Sequence, residues 1–246
     1  MTPQPPLTPL DTLDLRLQEL GHAVLDADAL ARLADVTAAD TARLQAFWAD
    51  LPPDEHLRDG GRYRRRRHGC FTVQANQVQA CGPRPHWQPV EYNALHGGIE
   101  RWFAPLAPAF AGDVAFARLL KALAGRASAL RGDRRWFVEA HPFRIDTAGG
   151  IGRPTPEGAH RDGVDLVVVV LVGRTGVKGG ETRVFDAHGP QGHRFTLSEP
   201  WSALLLDDAR VIHETTPIQP LVPGQSGWRD TLVLTFRAGG FQSAAG

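Results

Sequence analysis

Apolar residues in the first part of the chain recur at helical spacing. Leu13, Leu17 and Leu20 fall on one face, and Leu30 with Leu33 repeats the pattern, which predicts short amphipathic helices. Thr37 or Thr41 can begin a further helix carrying Leu44, Phe47 and Trp48, ended by Pro52-Pro53. After the Pro- and Trp-containing stretch 82–92, the spacing predicts more helix, including residues 99–103 and 114–130. From Arg135 the texture changes to short β-branched and aromatic runs at 136–145, 164–172, 182–185, 193–197, 203–206, 210–213 and 231–237. Gly and Pro turns separate them, and many short strands at this spacing predict a sandwich or barrel.

The expectation is an α+β protein. A Pro-rich, disordered stretch 1–10 would precede one domain, 11–246, with a helical half 11–134 and a β-barrel core 135–240. A length of 246 residues suffices to bury one substantial core. Lys plus Arg and Asp plus Glu each total 27, so no global field recruits nucleic acid or an anionic membrane. The longest apolar run, 167–172, is too short to span a bilayer. The start, MTPQPPLTPL, has no basic segment followed by an apolar core, so no signal peptide is expected. Cys70 and Cys81 form no metal-like or disulfide framework, which fits a reduced cytoplasm. The sequence leaves the oligomeric state open.

Candidate chemistry starts with His160-Arg161-Asp162. In extended backbone, residues two apart share a side, so an imidazole and a carboxylate can converge on one ion. The pair alone is weak, since chance supplies a His-x-Asp in such a chain roughly as often as not. His213 ends a later apolar run and gives a third donor if a jelly roll joins the two segments. Two His and one carboxylate leave adjacent positions open on Fe(II), as a chelating 2-oxo acid and dioxygen require. In 229–237, alternation places Arg229, Thr231, Val233, Thr235 and Arg237 on one side. Arg229, helped by the Thr231 hydroxyl, can bind the distal carboxylate of a 2-oxo diacid such as 2-oxoglutarate. The structural alternative is an ion pair with Asp207 or Asp208.

Glu157-Gly-Ala-His-Arg-Asp-Gly163, Gly179-Gly-Glu-Thr182, the run ending Val-Ile-His213 and the strand from Arg229 to Arg237 together resemble the bacterial 2-oxoglutarate/Fe(II) dioxygenase family that includes L-isoleucine 4-hydroxylase. The likeness extends upstream to Asp59-Gly-Gly-Arg-Tyr-Arg-Arg-Arg-Arg67, covering most of the chain after residue 55. It implies a double-stranded β-helix, ferrous iron and 2-oxoglutarate, with ascorbate as the reductant in vitro. It further implies hydroxylation of a small substrate with release of succinate and CO2, free aliphatic L-amino acids being the precedent.

Several other residues enter the picture. Asp186, His188 and His193 make a competing metal cluster, better read as a turn. Gly179-Gly180 predicts a hairpin needing positive φ, and Glu181 can line the pocket. Glu139, His141, Phe143 and Ile145 would share one strand face, with Arg144 on the other. A substrate carboxylate would need a cation from Arg144, Arg161, Arg237 or the run 62–67, of which an alternating subset could line the pocket mouth. Rival functions are a cupin-like metalloenzyme not using 2-oxoglutarate, and a non-catalytic metal- or amino-acid-binding stress or biofilm protein.

Overall fold

The computed structural model describes residues 4–93 and 95–244. Its first helices are α1 (Leu13–Leu20), α2 (Ala27–Ala34) and α3 (Ala38–Gln45), with β1 (His22–Leu25) between α1 and α2. Three strands follow, β2 (Arg64–Arg66), β3 (Gly69–Gln74) and β4 (Gln77–Ala80), then α4 (Pro108–Ala111) and α5 (Val114–Arg131). The second half contains β5 (Trp136–Asp146), β6 (Leu166–Thr175), β7 (Val177–Gly179), β8 (Thr182–Asp186) and β9 (Gly192–Phe195). It continues with β10 (Ala203–Asp207), β11 (Val211–Thr215), β12 (Ile218–Pro220) and β13 (Trp228–Ala238).

Local chemistry sets the helix starts. Thr37 caps α3 with its hydroxyl while Asp40 returns a bond to the Thr37 amide, closing a capping box. Asp26 and Asp113 accept the first free amides of α2 and α5. These helices cover one face of a large antiparallel sheet ordered β1-β10-β6-β13-β5-β3-β4, with β2 also pairing β5. Opposite lie β11-β8-β9 and β12-β7, extended by bridges from Gly152 to Ile218 and from His160 to His213. The large sheet and the two smaller ones together form a double-stranded β-helix.

Strand β6 reads as continuous Val and Leu because both its faces are buried. Val168 and Val170 pack towards the helices with Phe116, Leu123, Leu234 and Trp136. Val167 and Leu171 face the smaller sheet with Val184, Phe195 and Val211. Each such side chain contributes roughly 1.5–3 kcal/mol by leaving water.

Four expectations are corrected. The stretch 4–10 is ordered against the barrel: the Thr8 amide donates to the Val24 carbonyl at 2.8 Å, and Leu7 bridges Val24. The exposed edge of β1 offers those backbone partners; residues 1–3 lie outside the described residues. The half 11–134 is not simply helical, because β1 extends the large sheet at one end while β2, β3 and β4 extend it beyond β5. Residues 99–103 form no helix; Arg101 exchanges backbone bonds with His86 instead. Gly179 and Gly180 do adopt positive φ, +79° and +72°. They make a bend between β7 and β8, each of which pairs elsewhere, and not a hairpin.

A buried polar cluster lies between β3, β5 and the segment before α4. Glu139 Oε2 sits 2.5 Å from His86 Nδ1 and 3.4 Å from both His68 Nε2 and His141 Nε2. All four donor atoms fall within 4.8 Å of one another, a spacing that invites a metal reading. Arg66 decides against it. Its Nη2 donates to His141 Nδ1 at 2.6 Å, and arginine has no acceptor, so the His141 proton must sit on Nε2 and point at Glu139. His141 is therefore a hydrogen-bond donor in this cluster.

Burial pushes His86 down to about 4. Burial also opposes the Glu139 charge, but donation from the three imidazoles outweighs it and holds the carboxyl well below its usual range. The ordinary His value is 6.5, so between about 6.5 and 4 the unfolded chain binds more protons at His86 than the folded one. The Glu139 contribution is present above its unfolded value and is lost as pH falls further. Both effects act in the same direction. Stability should decline on acidification from pH 7 to pH 4, and His86→Gln should lower the unfolding midpoint and flatten that decline. Thermal unfolding at stepped pH measures both; an unchanged slope in His86→Gln would remove the cluster as its cause.

Candidate active site

The bridge between His160 and His213 brings together segments 53 residues apart through paired backbone bonds of 3.0 and 2.9 Å. Their rings lie 4.6 Å apart. Asp162 approaches both, with Oδ1 3.9 Å from His160 Nε2 and Oδ2 3.8 Å from His213 Nε2. The loop bearing Asp162 is fixed from behind. Asp208, fully buried, accepts the amides of Asp162, Gly163 and Val164 at 3.0, 2.7 and 3.1 Å. Gly163 has φ +74°, and a Cβ there would meet the Tyr92 ring at 2.5 Å.

Protonation states suit a cation. His160 Nδ1 lies 3.0 Å from the Gly158 carbonyl, so it carries the proton and leaves the Nε2 lone pair towards Asp162. Burial opposes charge on His160, but Asp162, Glu157 and the Gly158 carbonyl together raise its pKa. Burial, with His160 beside it, drives the His213 pKa well down and favours the neutral imidazole. Gln88 Nε2 donates to Asp162 Oδ1 at 2.9 Å, fixing how the carboxylate presents itself. A divalent iron would replace the proton that the two carboxylates favour on His160, and two imidazoles with a carboxylate on one point fit it.

These three residues line a cleft between the sheets. The inner face of β13 contributes Arg229, Thr231, Val233 and Thr235, as alternation predicts. Arg229 is 3 % exposed, and its Nε and Nη2 have no hydrogen-bond partner. Burial, then Arg174, lowers its pKa to about 10, which leaves it charged at neutral pH. A register shift between β13 and β6 at Asp230/Thr231 sets Arg174 directly opposite Arg229. Among the described residues neither guanidinium forms an ion pair. Two adjacent cations without a carboxylate, one with unused buried donors, suit an anionic ligand such as the distal carboxylate of 2-oxoglutarate. The alternative ion pair is not formed: Asp207 pairs with Arg131, and Asp208 serves the Asp162 loop.

The other candidates separate. His141 lines the cleft, but both its nitrogens are engaged with Arg66 and Glu139. Arg144 points to the outer face, where it pairs with Asp230 at 2.7 Å and lies over Trp228. Strand alternation requires this once Thr231 faces inward. Arg161 turns to the Asp208 carbonyl and the Tyr92 ring. Glu181 pairs with Arg183 outside the cleft. Arg237 lines a small neighbouring cleft and donates to the Gly240 carbonyl. Asp186 accepts the His188 amide in a turn, while His193 packs on His22.

Of the arginine run, Arg64 and Arg66 point into the cleft, as an alternating subset would. Gln88, Arg101, Glu157 and Asp208 complete the surroundings, and the sequence reading gave none of them a role at the site. Gln88 and Arg101 lie in irregular chain with no period to place them. Glu157 was visible only as part of the motif around His160.

Comparison with known proteins agrees with this geometry. The sequence profile of the 2OG-Fe dioxygenases matches residues 45–235. No curated protein matches the chain. Among solved structures, a bsmA homologue from Methylobium petroleophilum PM1 is 52% identical, covers 99% of both chains and superposes with a TM-score of 0.92. IDO from Bacillus thuringiensis shares 16% identity over 96% of this chain and 100% of its own, at a TM-score of 0.76. The Fe(II)/α-ketoglutarate-dependent dioxygenase TqaL shares 18% over 95% and 90%, at a TM-score of 0.67. The last two likenesses concern the fold alone. With the profile spanning most of its length and a half-identical relative, the chain belongs to the 2OG-Fe dioxygenase family and is a 2-oxoglutarate-dependent non-haem iron dioxygenase.

Proposed function

We propose that the enzyme hydroxylates a free aliphatic L-amino acid, with iron held by His160, Asp162 and His213 and with 2-oxoglutarate anchored by Arg229 and Thr231. The observation that carries the reading is the pairing of the two-His, one-carboxylate group with an arginine in the same cleft whose buried Nε and Nη2 are unpartnered. Bound iron and 2-oxoglutarate supply the oxidative decarboxylation to succinate and CO2 and the oxidant for the C–H bond.

The chain's own residues prepare that chemistry. The Gly158 carbonyl holds the His160 proton on Nδ1, and Gln88 orients Asp162. Asp208 fixes the loop, so Asp162 needs little rearrangement to bind. Arg229 offers a fork for a carboxylate, and the Thr231 hydroxyl stands two residues along the same face. Val169 and Val233 present apolar walls that exclude water beside these polar groups. Phe143 and Ile145 add apolar surface for an aliphatic side chain.

Titrating the anaerobic protein with Fe(II) should give one tight site per chain, and 2-oxoglutarate should then change its absorbance. His160→Ala should lose that site and His68→Ala should keep it. Iron retained in His160→Ala would show the ligands to be misassigned. Arg229→Gln should keep iron but need roughly 10- to 100-fold more 2-oxoglutarate for the absorbance change, since a charge-assisted pair is lost. Unchanged 2-oxoglutarate affinity would remove Arg229 from the anchor. With Fe(II), ascorbate and 2-oxoglutarate, a panel of free L-amino acids should release succinate and yield a product with one added oxygen for an aliphatic member. A flat panel would remove the amino-acid substrate and leave the cosubstrate assignment standing.

A further inference from the structure

The segment after β13 returns towards the metal ligands. Gly239 and Gly240 take φ of +80° and +141°. A Cβ would meet nothing within 4 Å at either position, so backbone conformation and not space calls for glycine. The reversal lays 241–244 against the barrel behind Asp162, and three contacts hold it there. Arg237 Nη1 donates to the Gly240 carbonyl at 2.8 Å. The Phe241 ring meets Phe137 edge-on, with centroids 5.1 Å apart, and the Arg84 guanidinium lies 4.3 Å from its centroid. Phe241 and Gln242 thereby wall off a small cleft that Glu139, Asp162 and Thr235 also line.

Gln242 completes what Asp208 begins. Its Nε2 donates to the Asp162 carbonyl at 3.1 Å and to the Gly163 carbonyl at 3.0 Å. A primary amide nitrogen carries two hydrogens, so one serves each carbonyl, whereas the reversed amide would set Oε1 against two acceptors. Asp208 accepts the amides of Asp162, Gly163 and Val164. One side chain thus meets the donors of this loop, and the other meets its acceptors. Anchored amides alone would leave the peptide planes free to rock about the Asp208 carboxylate. A second anchor on the carbonyls fixes those planes and, with them, the direction of the Asp162 Cα–Cβ bond. Gly163 makes room for the approach, since a Cβ there would come within 2.9 Å of Gln242 Nε2. Gln242 does not line the main cleft, so its effect reaches the reaction only through Asp162.

We infer that Gln242 is a positioning residue for the metal: its carboxamide clamps the Asp162 loop through two main-chain carbonyls and so sets the aim of the Asp162 carboxylate. The inference rests on the assignment of Asp162 as a ligand and adds a residue 80 positions away in sequence. Gln88 orients the same carboxylate at Oδ1, and Gln242 orients the chain that bears it. Groups that hold a metal ligand from outside commonly change metal affinity 10- to 100-fold when they are removed.

Two variants separate the clamp from packing. Gln242→Met keeps the length of the side chain and removes both donors, and Gln242→Ala removes the stem as well. Anaerobic titration with Fe(II) should show roughly 10- to 100-fold weaker binding in both. The unfolding midpoint of the metal-free protein should stay close to that of the unaltered chain, because the clamp holds one loop and not the core. Amide hydrogen exchange should quicken at residues 162–164 and stay slow in β5 and β13, a local change that a general loss of stability would not produce. Unchanged iron affinity in Gln242→Met would overturn the clamp. Affinity kept by Gln242→Met and lost only by Gln242→Ala would do the same, by assigning the effect to the stem. So would weaker iron binding that follows a fallen midpoint, with exchange quickened throughout the barrel. An unaltered protein that takes up no Fe(II) would instead indict the metal assignment itself.

Discussion

Charge taken out of water is the condition around which the barrel interior is built. The cleft and its immediate walls contain arginines 64, 66, 101 and 229 and five carboxylates, most of them nearly inaccessible. An isolated buried ion costs several kcal/mol, so each must be met by opposite charge, by hydrogen bonds or by a ligand. Asp54 meets Arg64, the imidazoles meet Glu139, and three backbone amides meet Asp208. Arg229 and the Arg101–Glu157 wall retain unused polar atoms. Function is concentrated where that compensation stops.

The two-residue period of the strands distributes these charges. On β5 and β13 one face packs against helices through Val138, Ala140, Leu232 and Leu234, while the other bears His141, Phe143, Arg229 and Thr231. A single antiparallel pair thereby separates the apolar layer from the cleft. The bulge between β6 and β13 modifies the rule once. It turns Arg174 to the side of Arg229, although Val168, Val170 and Val172 before it face the helices. The resulting pair of cations forms no ion pair among the described residues, the neighbouring Asp230 being taken by Arg144.

That period is also why much of the site was legible in the sequence. Alternation named the inner residues of β13, the shared face of Glu139, His141, Phe143 and Ile145, and an inward subset of the arginine run. The order of His160, Asp162 and His213 suggested a common ion once a jelly roll was supposed. What could not be read was contact across long sequence separations in chain without a period. Gln88 and Arg101 reach the site from irregular segments, and His86 meets Glu139 through a bridge that no local pattern announces. Arg144 shows the complementary limit. Alternation assigned it to the opposite face from His141, but only the packed structure says which face is the cleft, and Asp230 already claims it.

The histidine–glutamate cluster has a consequence for the cleft beyond stability. Arg66 is pressed between Phe103 and Phe143, 3.7 and 4.4 Å from their ring centroids, and its Nη2 ends on His141. His141 can accept that bond only because Glu139 holds its proton on the other nitrogen. Glu139 therefore reaches the cleft through two hydrogen bonds and one guanidinium, without touching the ligand. Arg66 in turn lies beside Arg64 on the inward side of β2 and shares Asp54 with it. A protonated Glu139 would release the His141 tautomer and free the Arg66 fork, which would then compete with Arg64 for Asp54. The carboxylate at the centre of the cluster thus fixes the tautomer on which the Arg66–His141 bond beside the cleft depends.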